Sequence, residues 1–353
     1  MKTVSVDDIK KEIDPDEEIL DLRGQVEGLN KRLREYKKEH GSLKTFFRDT
    51  KSAIIAIDPS PMEYAAPDKK AKVSNPVEPC LQITDVHMGM EQLADEVEGF
   101  NEYSPEICVS RSMFYMKQAV EWVELHRSNY AINDARVICT GDNISGDIHR
   151  ELSITNAFPT PVQVKKAGFL IADQVAYLAP HFSRVVVEFI SEDNHSRLTK
   201  KPQSKQAGYN SLNYLVGVIA QERLRNIKNV EFNLYPMLQK VIHVQGRDYL
   251  ITHGHSVRGW AGFPWYGLDR KVGREATKRM QAKKQRFDVI VAGHFHTKLV
   301  TPGWMLSGSV SGTDAYDHKE ARYSPPSQAA WMVHPRWGEF DRTDFDLRGA
   351  DAR

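Results

Sequence analysis

The chain has 353 residues, 41% of them apolar, and a formal net charge of +1. That is apolar matter for one large domain, or for one domain with an appendage, and the near-neutral charge excludes a global attraction to nucleic acid or membrane, so any basic surface must be local. The three cysteines, Cys80, Cys108 and Cys139, lie in or beside apolar segments and lack zinc-site spacing, which predicts buried thiols in a reducing, cytoplasmic compartment. No stretch approaches the ~20 apolar residues of a membrane span, and the charged N-terminus has no apolar signal region.

Ile19, Leu22, Val26, Leu29, Leu33 and Tyr36 recur at spacings of three and four. This heptad seam predicts a helical, coiled-coil-like extension over residues 1–57, which either packs on the main domain as a lone amphipathic helix or self-associates into a homo-oligomer. Residues 58–79, "DPSPMEYAAPDKKAKVSNPVEP", have no periodicity and read as a linker. A main domain over 80–345 and a short tail over 346–353 follow. Strands are predicted at 80–84, 136–140, 184–190, 249–252 and 288–292, and helices at 110–127, 162–179, 207–225 and 270–286. The pieces "KLVTPGWMLSGSV" and "AAWMVHP" read as further short strands. Strand–helix alternation predicts a layered α/β core to which the tail adds sheet.

Each of the five core strands runs straight into carboxylate, amide or imidazole side chains. The first gives Asp85 and His87, the second Asp142, the third Asn194 and His195, the fourth His253 and His255, and the fifth His294 and His296. Ligands gather at the carboxyl ends of strands in α/β sheets. On extended backbone, residues two apart face the same side, so Asp85 and His87 can address one metal region, as can His294 and His296. Glycines 141, 254 and 293 allow sharp turns there. Oxygen and imidazole donors without thiolate suit Mn²⁺, Fe or Zn²⁺. One such motif alone is most often a surface turn; five in series are not.

In their order these motifs resemble the calcineurin-like metallophosphoesterases, whose pattern is D-x-H, G-D, G-N-H, H-G and G-H-x-H. Here it stands as Asp85-Val86-His87, Gly141-Asp142, Asn194-His195, His253-Gly254 and Gly293-His294-Phe295-His296. The resemblance covers residues 80–310 and implies a four-layered β-sandwich flanked by helices, carrying two divalent ions, most readily Mn²⁺, with Zn²⁺, Fe or Mg²⁺ as alternatives. It implies one ion held by Asp85, His87, Asp142 and His296, and a second by Asp142, Asn194, His253 and His294. It further implies phosphate-ester hydrolysis by a hydroxide shared between the metals, with His195 as the acid or phosphate contact. His255 is an alternative to His253, but Gly254 favours the latter. Two departures stand out: Asp193 occupies the place of the usual glycine before Asn194, and the segment after Asp142 runs Asn143-Ile144-Ser145-Gly146-Asp147, unlike the Ser/Thr phosphatases.

Arg197 is a second catalytic candidate, through bidentate contact with a phosphate. His149, Arg150, His255, Arg258 and Trp260 are candidate substrate contacts. Residues 256–287 concentrate Arg258, Arg270, Lys271, Arg274, Lys278, Arg279, Lys283, Lys284 and Arg286 beside Trp260, Phe263, Trp265 and Tyr266. Cations beside aromatics make a candidate nucleic-acid surface, or a solvated basic helix behind an aromatic loop. Three functions are open: a phosphodiesterase or nuclease binding DNA or other nucleic acid, a phosphomonoesterase of phosphoproteins or metabolites, and a coiled-coil scaffold with a vestigial metal site.

Overall fold

The computed structural model describes residues 76–148, 152–258 and 264–351. The heptad segment, the expected linker up to residue 75, and the candidates His149, Arg150, Trp260 and Phe263 lie outside the described residues. The first strand starts inside the last residues expected as linker: Glu78 and Pro79 already pair with Val333 and Met332.

The chain order is β1 (Glu78–Ile83), α1 (Pro105–His126), β2 (Asp134–Cys139), the single turn α2 (Leu152–Thr155), α3 (Thr160–Leu178), β3 (Arg184–Ile190), α4 (Leu212–Leu224) and β4 (Val230–Tyr235). There follow β5 (Gln239–Val244), β6 (Arg247–Thr252), α5 (Trp265–Gln281), β7 (Val289–Ala292), β8 (Leu299–Thr301), β9 (Trp304–Leu306), α6 (Ala315–Lys319), β10 (Ser327–His334) and β11 (Gly338–Asp346). Helix starts follow local chemistry. Ser104 Oγ accepts from the Ile107 N–H ahead of Pro105, and Ser211 Oγ accepts from Asn213 N–H, each satisfying a donor the helix leaves unpaired.

Two mixed sheets result. One has the order β11-β10-β1-β2-β3-β4, with β1 to β4 mutually parallel; the other has the order β5-β6-β7-β9-β8, with β6, β7 and β9 parallel. They pack face to face: Cys80, Ile138, Ile190, Trp331 and Val333 of the first meet Tyr249, Ile251, Val289, Val291 and Met305 of the second. The outer face of the second sheet is covered by Leu268 of α5, against Leu250, Ile290, Trp304 and Leu306. On the outer face of the first, Tyr115 of α1 donates to the Ala329 carbonyl of β10 and packs against Phe345 of β11. At the other end α4 lies so close that a Cβ on Gly217 would stand 2.6 Å from Leu234. The strands buried on both faces are near-continuous apolar runs, as in Arg184–Ile190.

Three strands absent from the sequence reading, β4, β5 and β11, are all sheet edges. No helix among the described residues is long and apolar enough to cross a membrane, and all three cysteines are buried thiols. Parallel pairing places the carboxyl ends of β1, β2 and β3 along one edge of the first sheet, and those of β6 and β7 along one edge of the second.

Candidate metal centre

The loops leaving those strand ends are stitched together by backbone. Asp85 N–H donates to Gly141 C=O (3.1 Å), His87 N–H to Asp142 C=O (2.9 Å) and Gly293 N–H to His253 C=O (2.9 Å). The chain here is not the extended backbone expected from alternation. Asp85 (φ 51°), His87 (φ 47°), Asp142 (φ 49°), His294 (φ 72°) and His296 (φ 53°) are all left-handed. Each costs on the order of 1 kcal/mol or more for an L-residue, and their concentration on the candidate ligands marks a site where packing enforces geometry.

The side chains fall into two adjoining groups. Asp85, His87 and His296 form one, with ligand atoms within 4.8 Å of one another; Asp142, His253 and His294 form the other. Asp142 also groups with His87 and His195, so its carboxylate lies between the two. His294 and His296 therefore serve different groups, a separation that the left-handed backbone at both permits. His87 Nε2 stands 3.1 Å from His296 Nε2, and His253 Nε2 lies 3.0 Å from Asp142 Oδ2 and 2.9 Å from Asn194 Oδ1.

Outer contacts set which ring nitrogen faces inward. A carbonyl only accepts, so His253 Nδ1, 2.9 Å from Thr140 C=O, carries the proton and turns Nε2 to the cluster. His195 Nδ1 does the same against Ser145 C=O at 2.7 Å, and its Nε2 points toward Asp142 Oδ2, 3.9 Å away. His296 Nδ1 faces Asp317 Oδ2 at 3.4 Å.

Charge is crowded here. Burial holds the Asp85 carboxyl above its ordinary range. Burial also opposes ionisation of Asp142, but His253 and His195 override it and hold that carboxylate well below the usual range. Burial disfavours a cation on His253, yet Asp142 pushes it up to about 9; on His296 burial is likewise overridden, by Asp317 and Asp85, which push it to about 10. Burial and the neighbouring His195 keep His87 well below its usual value. Such an array of buried carboxylates and imidazoles needs cationic compensation, which protons or divalent ions supply. The residues fit an oxygen- and nitrogen-binding divalent ion: the donors are of the right type, they converge, and His87 Nδ1 is buried with no hydrogen-bond partner.

Asp193 is not left-handed, so no backbone penalty replaces the missing glycine. Its buried carboxylate instead accepts from Asp142 N–H (2.9 Å) and from Ser196 N–H (2.8 Å) and Oγ (3.1 Å), tying the β2 and β3 loops together. Burial and Asp142 push it up to about 7. The close approach depends on Gly141, whose Cβ would stand 2.9 Å from that of Asp193.

Among the other sequence candidates, His255 packs behind His253, ring centroids 5.6 Å apart, and burial with His253 pushes it down to about 4. Arg197 departs from expectation. Its Nε donates to Thr199 C=O (3.1 Å) and its Nη2 to Lys200 C=O (3.3 Å), so the guanidinium satisfies its own loop. Arg258 is exposed. In the basic segment, Lys271, Lys278 and Arg279 all surround Glu275, which leaves less unpaired charge than the composition implied. The sequence reading passed over Thr84, whose Oγ1 donates to Asp85 Oδ2 (2.8 Å), and Asp317, which no spacing rule connects to His296.

The fold and site together define a two-sheet α/β protein with a candidate divalent-metal centre at one edge. No family model and no curated protein matches the chain. Among solved structures it is similar to Vps29 of Chaetomium thermophilum, with 11% identity over 76% of this chain and 98% of that one, at a TM-score of 0.30. A similarity at that score carries no inference about activity.

Proposed function

We propose that the protein is a metal-dependent phosphoesterase of the calcineurin-like type, acting on phosphodiesters of nucleic acid. The observation that carries this is the placement of Asp142 between two groups of oxygen and nitrogen ligands, with His195 alongside. Asp85, His87, Asp142 and His296 would hold one ion, and Asp142, Asn194, His253 and His294 the other. Bound there, a pair of divalent ions supplies charge for the phosphoryl oxygens and lowers the pKa of a water. His195, held by Ser145 and with Nε2 toward the site, would deliver a proton to the leaving oxygen; its contact with Ser145 C=O supports that role. Thr84 and the His294 N–H fix the Asp85 carboxylate (2.8 and 2.9 Å), and Asp193 fixes the backbone of Asp142.

The nucleic-acid reading is supported by α5 and the residues that follow it. Arg270, Arg274, Lys283, Lys284 and Arg286 are exposed, Trp265 and Tyr266 are exposed at its start, and Lys271 Nζ donates to Ser256 Oγ (3.2 Å) in the loop that carries His253 and His255. Exposed cations beside aromatic faces suit a phosphate backbone with unpaired bases.

The deciding assay gives Mn²⁺-loaded protein bis- and mono-p-nitrophenyl phosphate and linear, circular and single-stranded DNA. Cleavage of the diester and of DNA is expected. Turnover of the monoester alone would make the protein a phosphomonoesterase, and no metal-dependent turnover of any substrate would make it a scaffold. Gly293→Ala probes the ligand geometry, because the added Cβ would meet Thr84 Oγ1 at 2.0 Å and Asp85 Oδ2 at 2.3 Å. Displacing that carboxylate is expected to weaken Mn²⁺ binding on the order of 10–100-fold, read by calorimetric titration.

A further inference from the structure

Around the segment that Asp317 and Ser324 tie to His296, the chain exposes aromatic rings that play no part in the chemistry above. Tyr316 is 65% exposed, Tyr323 57% and Phe100 55%, whereas large aromatics usually lose most of their surface to the core. Phe100 and Tyr323 meet at 5.8 Å with their planes 56° apart, an open corner that leaves faces uncovered. The Arg322 guanidinium lies 5.1 Å over the Tyr316 ring, and Arg348 Nη1 donates to Tyr323 Oη at 3.4 Å.

Two of these rings adjoin residues that contact the metal-ligand candidate His296. Tyr316 adjoins Asp317, the carboxylate 3.4 Å from His296 Nδ1, and Tyr323 adjoins Ser324, whose hydroxyl donates to the His296 carbonyl. Arg322 also pairs with Asp317 at 3.0 Å. The segment between is fastened at both ends: Asn101 Nδ2 donates to Thr313 C=O (2.8 Å), and Thr313 Oγ1 donates to Ser324 C=O (3.0 Å) and accepts from Ser324 N–H (2.8 Å). The backbone that carries the two tyrosines is thus fastened in advance of any ligand, which lowers the entropy lost on binding.

Exposed tyrosines on one fastened segment, one of them under a guanidinium, suit a flat π-system attached to an anion. Every nucleobase offers a π-face, and arginine adds cation–π and phosphate contacts. We propose that Tyr316, Tyr323 and Phe100 form a stacking platform for a base attached to the ester at this centre, so that the substrate is a nucleotide-containing phosphodiester. The proposal rests on the phosphoesterase reading for the identity of the ester, but the platform itself is tested by binding.

The experiment measures fluorescence anisotropy of labelled oligo(dT) and of an abasic strand of equal length and charge, with the full chain in Ca²⁺. The protein is expected to prefer oligo(dT) on the order of tenfold. Tyr316→Ala and Tyr323→Ala should each remove most of that preference without weakening abasic binding, while Tyr316→Phe and Tyr323→Phe should retain it. Equal affinity for both strands, or a preference that survives both alanine variants, overturns the platform. Competition by thymidine monophosphate at similar concentration assigns the base to free nucleotides, and its absence assigns it to the polymer. Turnover of bis-p-nitrophenyl phosphate, measured in parallel with Mn²⁺, separates the two ideas. Base-dependent binding without turnover supports the platform and removes the phosphoesterase; turnover without base preference removes the platform alone.

Discussion

Asp142→Asn is expected to abolish turnover, by on the order of 10³-fold or more, and to lower the bound metal per chain. The substitution keeps the size of the side chain and leaves the backbone N–H bonded to Asp193 Oδ2, so the β2 loop should keep its path. What it removes is the negative charge between the two ligand groups, opposite His253 Nε2 at 3.0 Å. An amide offers one oxygen in place of a charged pair, and it cannot compensate two cations at once. Turnover of bis-p-nitrophenyl phosphate and metal content by elemental analysis check the result. A variant with full metal content and ordinary turnover would show that Asp142 does not join the two groups.

His195→Asn is expected to separate the two readouts: unchanged metal content with activity on DNA reduced by about 10²–10⁴-fold. The imidazole lies alongside the ligands, its ring 4.7 Å from that of His87, and its Nδ1 is engaged by Ser145 C=O. An asparagine NH₂ can still donate to that carbonyl, so the loop loses little. It cannot carry a proton to a departing alkoxide. Nitrophenolate leaves without such help, so the loss on bis-p-nitrophenyl phosphate should be clearly smaller than on DNA. Equal losses on both substrates would point to phosphate binding as the role of His195, and loss of metal would make it a ligand.

The sequence by itself determined the layered α/β core and the residues at the ends of its buried strands. Val289–Ala292 is apolar throughout and Arg184–Ile190 nearly so, interrupted by Arg184 and Glu188, because both faces of a central strand are covered, and that signal needs no partner to be read. Polar residues at the end of such a run, such as Asp85 or His294, are conspicuous for the same reason. The edge strands β4, β5 and β11 were not legible: each has one side open to water, and their polar–apolar mixtures, as in Gly338–Asp346, pass for loop.

Only the tertiary structure decided the backbone path by which the strand-end residues reach their two groups. Alternation along an extended chain joins His294 to His296, but left-handed backbone at both sends them to different groups. It also gave Asp193 a role as a clamp on the Asp142 backbone rather than a strained substitute for glycine, and it turned Arg197 onto its own loop. Asp317 reaches His296 from about twenty residues further along, through loop packing alone. Local patterns record burial and periodicity, whereas a left-handed turn, a clamp across two loops or a contact between distant segments is set by backbone dihedrals and by which surfaces meet.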